Sequence, residues 1–307
     1  MAANWLASAW HQNSGMVSVT PVPAQLESVS LRWLTALFGL PEGTGAGFVT
    51  GATMANFSCL AAARHAVLER SGWDVEADGL FGARAITVVV GAEAHATLIK
   101  GLGLLGLGRS RVITVPVDRQ GRMRADALPE LAGPAIVCVQ AGNVNSGAID
   151  PIAKIIPVAK AAGAWVHVDG AFGLWAAASP LLKDRVAGIG EADSWATDAH
   201  KWLNVPFDSG VALVRDPAML RAAMAVRTAY LPGGAPRDPF DYTPELSRRA
   251  RGGEVWAALR ALGRSGIAEL IERTCRHATR FAEGLTAAGF EVLNEVALNQ
   301  VLVSFGE

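Results

Sequence analysis

Seven short runs rich in β-branched residues punctuate this chain at regular intervals. They are "GFVTG" (47–51), "AITVVVG" (85–91), "RVITVPV" (111–117), "AIVCVQAG" (135–142), "AWVHVDGAF" (164–172), "DSWATDA" (193–199) and "GVALVRD" (210–216). Several are apolar on both faces, the pattern of strands covered on each side by helices. Segments of helical periodicity, such as 53–70 and 151–162, lie between them. Strand and helix in alternation predict an α/β fold: a seven-stranded, mostly parallel sheet sandwiched by helices. Ahead of it, "AQLESVSLRWLTALFGL" (24–40) reads as an amphipathic helix stopped by Gly39 and Pro41. Behind it, helices over 247–263 and 267–288 lead into "GFEVLNEVALNQVLVSFGE", two strands of a small antiparallel unit. The expected division is an N-terminal segment (1–40), a large domain (41–245) and a small, incomplete C-terminal α+β domain (246–307).

Composition narrows the partners. Apolar residues make up 51% of the 307 and charged residues 18%, against a usual ~25% charged. The excess apolar surface predicts a large subunit interface. A net charge of −1 without a Lys/Arg block argues against nucleic acid or an anionic membrane as partner. No apolar run reaches the ~18 residues of a membrane span. Cys59, Cys138 and Cys275 are odd in number and set in apolar context, as reduced thiols of a cytoplasmic protein would be.

In an open parallel sheet, ligands bind beyond the carboxyl ends of the strands. Gly51, Ala52 and Thr53 follow the first run and open a helix, where small residues let backbone N–H groups close on an anion. His95 follows the second run, Asn143 and Asn145 the fourth, Asp169 ends the fifth, and Lys201 follows the sixth. Singly, each has a plain explanation: a helix start, a cap, a turn, or a lysine snorkelling from a strand end. A carboxylate inside an apolar strand end is harder to dismiss, because it costs free energy without a partner.

One ligand accounts for the set. Pyridoxal 5′-phosphate (PLP) needs a cup for its phosphate, an aromatic neighbour for its ring, a carboxylate that keeps its ring nitrogen protonated and a lysine for its aldehyde. Gly51–Thr53, His95, Asp169 and Lys201 supply these in order. No metal-ligand set is read.

The ordered segments "GFVTGATMANFSCLAAAR", "AEAHATLIKGLGLLG", "GNVNSGAIDPI", "AWVHVDGAFG", "SWATDAHKWLNVPFDSG", "TAYLPGG" and "LSRRARGGEVWAALRALG" closely resemble the group II PLP-dependent amino-acid decarboxylases, relatives of the aromatic-L-amino-acid, tyrosine, histidine and glutamate enzymes. The resemblance covers essentially the whole chain. It implies the fold-type I architecture of PLP-dependent transferases and a homodimer with active sites at the interface. It also implies Lys201 as the Schiff-base lysine and Asp169 as the ring-nitrogen partner. By the same resemblance His95 stacks on the ring and orients the departing carboxylate, and Ala171 packs on the opposite face. Ala52, Thr53 and Ser194 hold the phosphate, Asp198 and His200 line the pocket, and Asn143 lies near the cofactor. Tyr230, in "TAYLPGG", falls where the family carries a loop tyrosine that returns a proton to the substrate carbon in the neighbouring subunit's site. Asn143 and Asp198 depart from the family's usual threonine and asparagine. The family normally carries further chain before the equivalent of Met1 and after that of Glu307, so a fragment or a shortened form is expected.

The function read from this is decarboxylation of an L-amino acid, the aromatic class favoured, to the amine and CO2. An aminotransferase or carbon–carbon lyase on the same fold, or a truncated non-catalytic homologue, are the alternatives. The segment 11–22, with Met16 and Val17, is expected to line the side-chain pocket.

Overall fold

The computed structural model describes residues 1–9, 13–226 and 237–306. Its elements, in chain order, are α1 (Ala2–Ala9), α2 (Pro21–Leu37), β1 (Gly45–Val49), α3 (Ala52–Glu69), the single turn α4 (Val75–Asp78), β2 (Thr87–Gly91), α5 (Ala96–Leu104), β3 (Ile113–Val115), β4 (Ala135–Gln140), α6 (Ile152–Ala161), β5 (Trp165–Asp169), β6 (Ser194–Asp198), β7 (Gly210–Val214), α7 (Pro217–Met224), α8 (Arg251–Ala287), β8 (Glu291–Val292) and β9 (Val303–Ser304). Each of the seven β-branched runs contains, or largely overlaps, one of the first seven strands.

Those strands form one sheet in the order β1-β7-β6-β5-β4-β2-β3. All neighbours pair in parallel except β7, which runs antiparallel to both β1 and β6. The reason lies in its connection. The link from β6 to β7, 199–209, contains no helix, and a parallel return needs a crossover that long loops or helices supply. Between β2 and β4 the winding reverses: α5 carries the chain outward from β2 to β3, and α6 carries it the other way, from β4 to β5. This is the switch point where open α/β sheets bind ligands.

Two apolar cores flank the sheet. On one face, Cys59, Leu60 and Ala63 of α3 and Leu98 and Leu102 of α5 pack on Val88, Ile136, Trp165 and Ala196. On the other, Leu34 of α2, Ile155 of α6, Trp175 and Val255 of α8 pack on Val137, Val166, Val168 and Trp195. Alternate residues of one strand thus serve opposite cores, as the two-residue period of a strand demands. Trp165, His167 and Asp169 of β5 share the α3 face.

Helix α8 bends at Gly263, whose φ of 62° interrupts the helical backbone and divides it near where the sequence separates two helices. At its base, Arg248 is fully buried, pairs with Glu27 of α2 at 2.7 Å and donates to the Phe48 carbonyl at 2.6 Å. Beyond α8, β8 and β9 form the expected antiparallel pair. Leu298, between them, is buried in the main core, and Asn294 donates to the Ser146 carbonyl at 2.8 Å.

Candidate active site

The parallel strands deliver their carboxyl ends to one edge of the sheet, and the chain places its unusual polar residues there. Lys201 stands just past the end of β6. Its side chain is 40% exposed, with Nζ 3.4 Å from Asp198 Oδ2 and 5.7 Å from the centroid of the Phe172 ring. Asp198 itself is nearly fully buried, and its Oδ2 also lies 3.5 Å from His200 Nε2. Its Oδ1 is buried without a hydrogen-bond partner, 3.6 Å from where a Cβ on Gly51 would stand. Burial pushes the Asp198 carboxyl above the usual range, and the positive charges of His200 and Lys201 pull it partly back.

Asp169, at the end of the neighbouring strand β5, is buried at the floor of this crevice. Its Oδ2 accepts a hydrogen bond from Asn56 Nδ2 at 3.0 Å, and its Oδ1 accepts from the Ala171 N–H at 3.3 Å. Burial raises its pKa; the Asn56 bond and the nearby charges of His95 and Lys201 oppose that rise. His95 is the N-cap of α5, its Nδ1 accepting from the Thr97 N–H at 3.3 Å. An Nδ1 that accepts leaves Nε2 to carry the proton of the neutral ring. The His95 backbone N–H donates to Gln140 Oε1 at 3.2 Å, and the ring Nδ1 also lies 2.8 Å from Thr97 Oγ1.

The start of α3 closes the crevice on the side of β7. Gly210 pairs in register with both Val49 and Asp198, and a Cβ at Gly210 would stand 2.5 Å from the backbone of Gly51. The absence of that Cβ lets the first turn of α3, with Ala52 and Thr53, reach the strand ends that carry Asp198 and Lys201. Ala171 is held between the two carboxylates: its N–H points to Asp169, and its carbonyl accepts from the Asp198 N–H at 2.9 Å. His200 accepts the Ser209 N–H at Nδ1 and stacks on Phe207 with centroids 4.0 Å apart.

Lys201, Asp169, His95, Ala171, Asp198, His200 and the Ala52–Thr53 start therefore gather at one crevice. One expected residue does different work. Ser194 begins β6, about 13 Å from Asp198 along the strand at ~3.3 Å per residue, and so stands at the end away from Lys201. Its hydroxyl is buried between Trp165 Nε1 and His167 Nδ1, each at 2.9 Å, which corrects its expected place at the phosphate. Asn143 gives its amide to Glu93 Oε2 at 2.9 Å and its carbonyl to the N–H groups of Asn145 and Ser146, which shapes the turn after β4. Tyr230 lies outside the described residues. Of the segment 11–22, residues 13–22 are described; there the Val17 N–H is tied to Asp238 Oδ1 at 2.8 Å.

Sequence reasoning passed over Asn56, His167 and Gly210. Asn56 is an ordinary polar residue in a helix of small apolar ones, and nothing local marks it. His167 did carry a signal: in "WVHVD" the valines alternate with Trp, His and Asp, which puts three hydrogen-bonding residues on one buried face.

A cup at a helix start, a buried carboxylate and a lysine at adjoining strand ends fit the chemistry of a phosphorylated pyridine aldehyde. The model of the pyridoxal-dependent decarboxylase conserved domain matches residues 1–306. The chain belongs to the pyridoxal-dependent decarboxylase family. It is 29% identical to tryptophan decarboxylase 1 of Oryza sativa subsp. japonica, over 99% of this chain and 63% of that protein. It is 33% identical to L-2,4-diaminobutyrate decarboxylase of Rhizobium meliloti (strain 1021), over 93% of this chain and 58% of that protein. The chain thus spans about three-fifths of the length of these curated relatives. The Oryza sativa TDC crystal structure with PLP and tryptamine superposes with a TM-score of 0.89 at 26% identity, covering 98% of this chain and 65% of that one. With these decarboxylases the chain shares the seven-stranded, mostly parallel sheet of fold-type I.

Proposed function

We propose that this chain decarboxylates an L-amino acid with pyridoxal 5′-phosphate held on Lys201. The observation that carries the reading is the adjacency of Lys201, just past β6, to the buried Asp169 carboxylate at the end of β5, with the open start of α3 alongside. When bound, the cofactor supplies an electron sink for the pair left on Cα as the bond to the carboxylate breaks. The rest is the work of this chain's side chains.

Lys201 is the covalent anchor, displaced by the substrate amine and then free to carry a proton. Asp169, whose charged form is supported by the Asn56 hydrogen bond and by Lys201 against the effect of burial, favours a protonated ring nitrogen. The N–H groups at the start of α3 and the helix dipole receive the phosphate. His95 presents Nε2–H, a donor suited to orienting the carboxylate that leaves, and Ala171 offers a small apolar surface to the opposite side of the ring. Tyr230 is the proton donor to Cα by family resemblance.

An aromatic substrate is our reading. It is supported by the likeness to a tryptophan decarboxylase crystallised with tryptamine. The comparable likeness to a diaminobutyrate decarboxylase makes substrate class the variable to measure. We assign a homodimer on the exposure of Trp5 and Leu6 in α1 and of Val22 and Trp33 in α2. A cytoplasmic setting agrees with three free cysteines, burial pushing the Cys59 thiol up to about 12.

Purified protein incubated with PLP should show a visible absorbance that borohydride reduces onto Lys201, and Lys201→Ala should lose it. An unchanged reducible absorbance in that variant overturns the site. A panel of aromatic, basic and acidic amino acids, assayed for CO2 against keto-acid release, separates a carboxy-lyase from an aminotransferase and names the substrate class.

A further inference from the structure

Behind Asp169 a line of hydrogen bonds runs through the α3-side core. Trp165 Nε1 lies 2.9 Å from Ser194 Oγ, Ser194 Oγ lies 2.9 Å from His167 Nδ1, His167 Nε2 lies 2.9 Å from Asn56 Oδ1, and Asn56 Nδ2 lies 3.0 Å from Asp169 Oδ2. Trp165 is 2% exposed, Asp169 4%, and the three residues between them are fully buried. The direction of every bond is forced from both ends. An indole N–H only donates and, in its ionised form, the Asp169 carboxylate only accepts. Asn56 must therefore turn its amide nitrogen to Asp169, leaving Oδ1 to receive a proton from His167 Nε2. His167 Nδ1 is then bare and takes the Ser194 hydroxyl proton, while the Ser194 lone pair takes the Trp165 N–H.

Of the two neutral tautomers of His167, Nε2–H is the one that satisfies all five residues. Burial agrees, pushing the His167 pKa down to about 3. Titratable groups on the elements around it are Cys59 of α3, Cys138 of β4, in register with His167, and Asp169 and Asp198 at the strand ends. Burial holds both thiols neutral. The Asn56 hydrogen bond is the largest effect opposing the burial of the Asp169 charge, and an Asn side chain turned the other way would present its oxygen to that carboxylate.

We infer that His167, backed by Ser194 and Trp165, locks the orientation of Asn56 and so sets the charge of Asp169 toward the cofactor ring nitrogen. His167 is a positioning residue, remote from the reacting atoms, and its effect is specific to that one nitrogen. The inference rests on the proposed function for its consequence, but the hydrogen-bond direction is a property of the chain without cofactor.

Two measurements test it. In the cofactor-free chain labelled with 15N-histidine, His167 should show an N–H shift at Nε2 and an acceptor shift at Nδ1, flat from about pH 5 to about pH 9. A proton on Nδ1, or titration in that range, overturns the inference. The second compares the affinity for PLP with that for an analogue carrying carbon in place of the ring nitrogen. The ratio of the two affinities should fall roughly tenfold to hundredfold in Asn56→Leu and His167→Leu. It should fall less in Ser194→Ala, and His167→Gln, which keeps an acceptor toward Ser194 and a donor toward Asn56, should restore it. Equal weakening of both ligands would mean a packing role alone and overturn the inference. Wild-type protein that captures neither ligand on Lys201 refutes the proposed function, and the tautomer measurement then judges the lock without it.

Discussion

Lys201 Nζ stands 3.4 Å from Asp198 Oδ2, so the lysine proposed to hold the cofactor is matched to a carboxylate three residues before it, whose other oxygen faces the helix start proposed to hold the phosphate. Asp198 thus sits where an incoming anion would go. Its pKa is raised, so it loses its proton, and begins to repel an anion, at a pH above the usual carboxylate range. Pyridoxine 5′-phosphate, which has no aldehyde to bond with Lys201, isolates the anion step. Its affinity should fall as pH rises through that titration, and Asp198→Asn should flatten the fall and tighten binding about tenfold near neutral pH. An equal pH slope in the variant would remove Asp198 from the anion site.

Gly210 sets the distance between β7 and the start of α3. In Gly210→Ala the new methyl would meet Gly51 backbone at 2.5 Å, and neither partner is a flexible side-chain end. We expect a loss of about 1–3 kcal/mol in urea unfolding. Affinity for pyridoxine 5′-phosphate should fall as well, because the displaced element is the helix start. Normal affinity with lowered stability would separate the cup from this contact.

Asp150 gives a stability test away from the crevice. It accepts the N–H groups of Met123 and Gln140, each at 2.7 Å, and burial raises its pKa to about 6. A raised carboxyl pKa means that the folded chain binds a proton the unfolded chain has released. Asp150 therefore adds stability as pH falls from about 6 toward the unfolded value near 4, and that gain is lost as pH rises again through about 6. Over that window the change is on the order of 3 kcal/mol. The stability difference between wild type and Asp150→Asn should grow on acidification from about pH 7.5 to about pH 4.5. A difference that is constant with pH would contradict it.

Tyr230→Phe tests the proton donor. Without a donor, the electron pair left at Cα would pass to dissolved oxygen, reducing it to hydrogen peroxide, and water would then release the nitrogen as ammonia; in air the product should shift from amine toward carbonyl compound. Amine yield equal to wild type would exclude Tyr230 from the reaction.

Much of this architecture is local information. Seven runs of β-branched residues, the helices between them and the bend near Gly263 follow from side-chain periodicity and backbone preference within a few residues. The strand-end rule then finds Lys201, Asp169 and His95, because a residue at the end of a parallel strand, or up to four positions past it, reaches the ligand edge whatever the rest of the chain does. Ser194 marks where that reasoning stops: it shares a strand with Asp198 yet opens at the opposite end, and its hydroxyl serves β5. The Asn56–Asp169 bond joins residues 113 positions apart, and its direction is set by His167, Ser194 and Trp165 together. A strand's period reveals which side chains share a face. Which partner waits on that face depends on how α3 packs across the sheet, a sum of long-range contacts that no local pattern encodes.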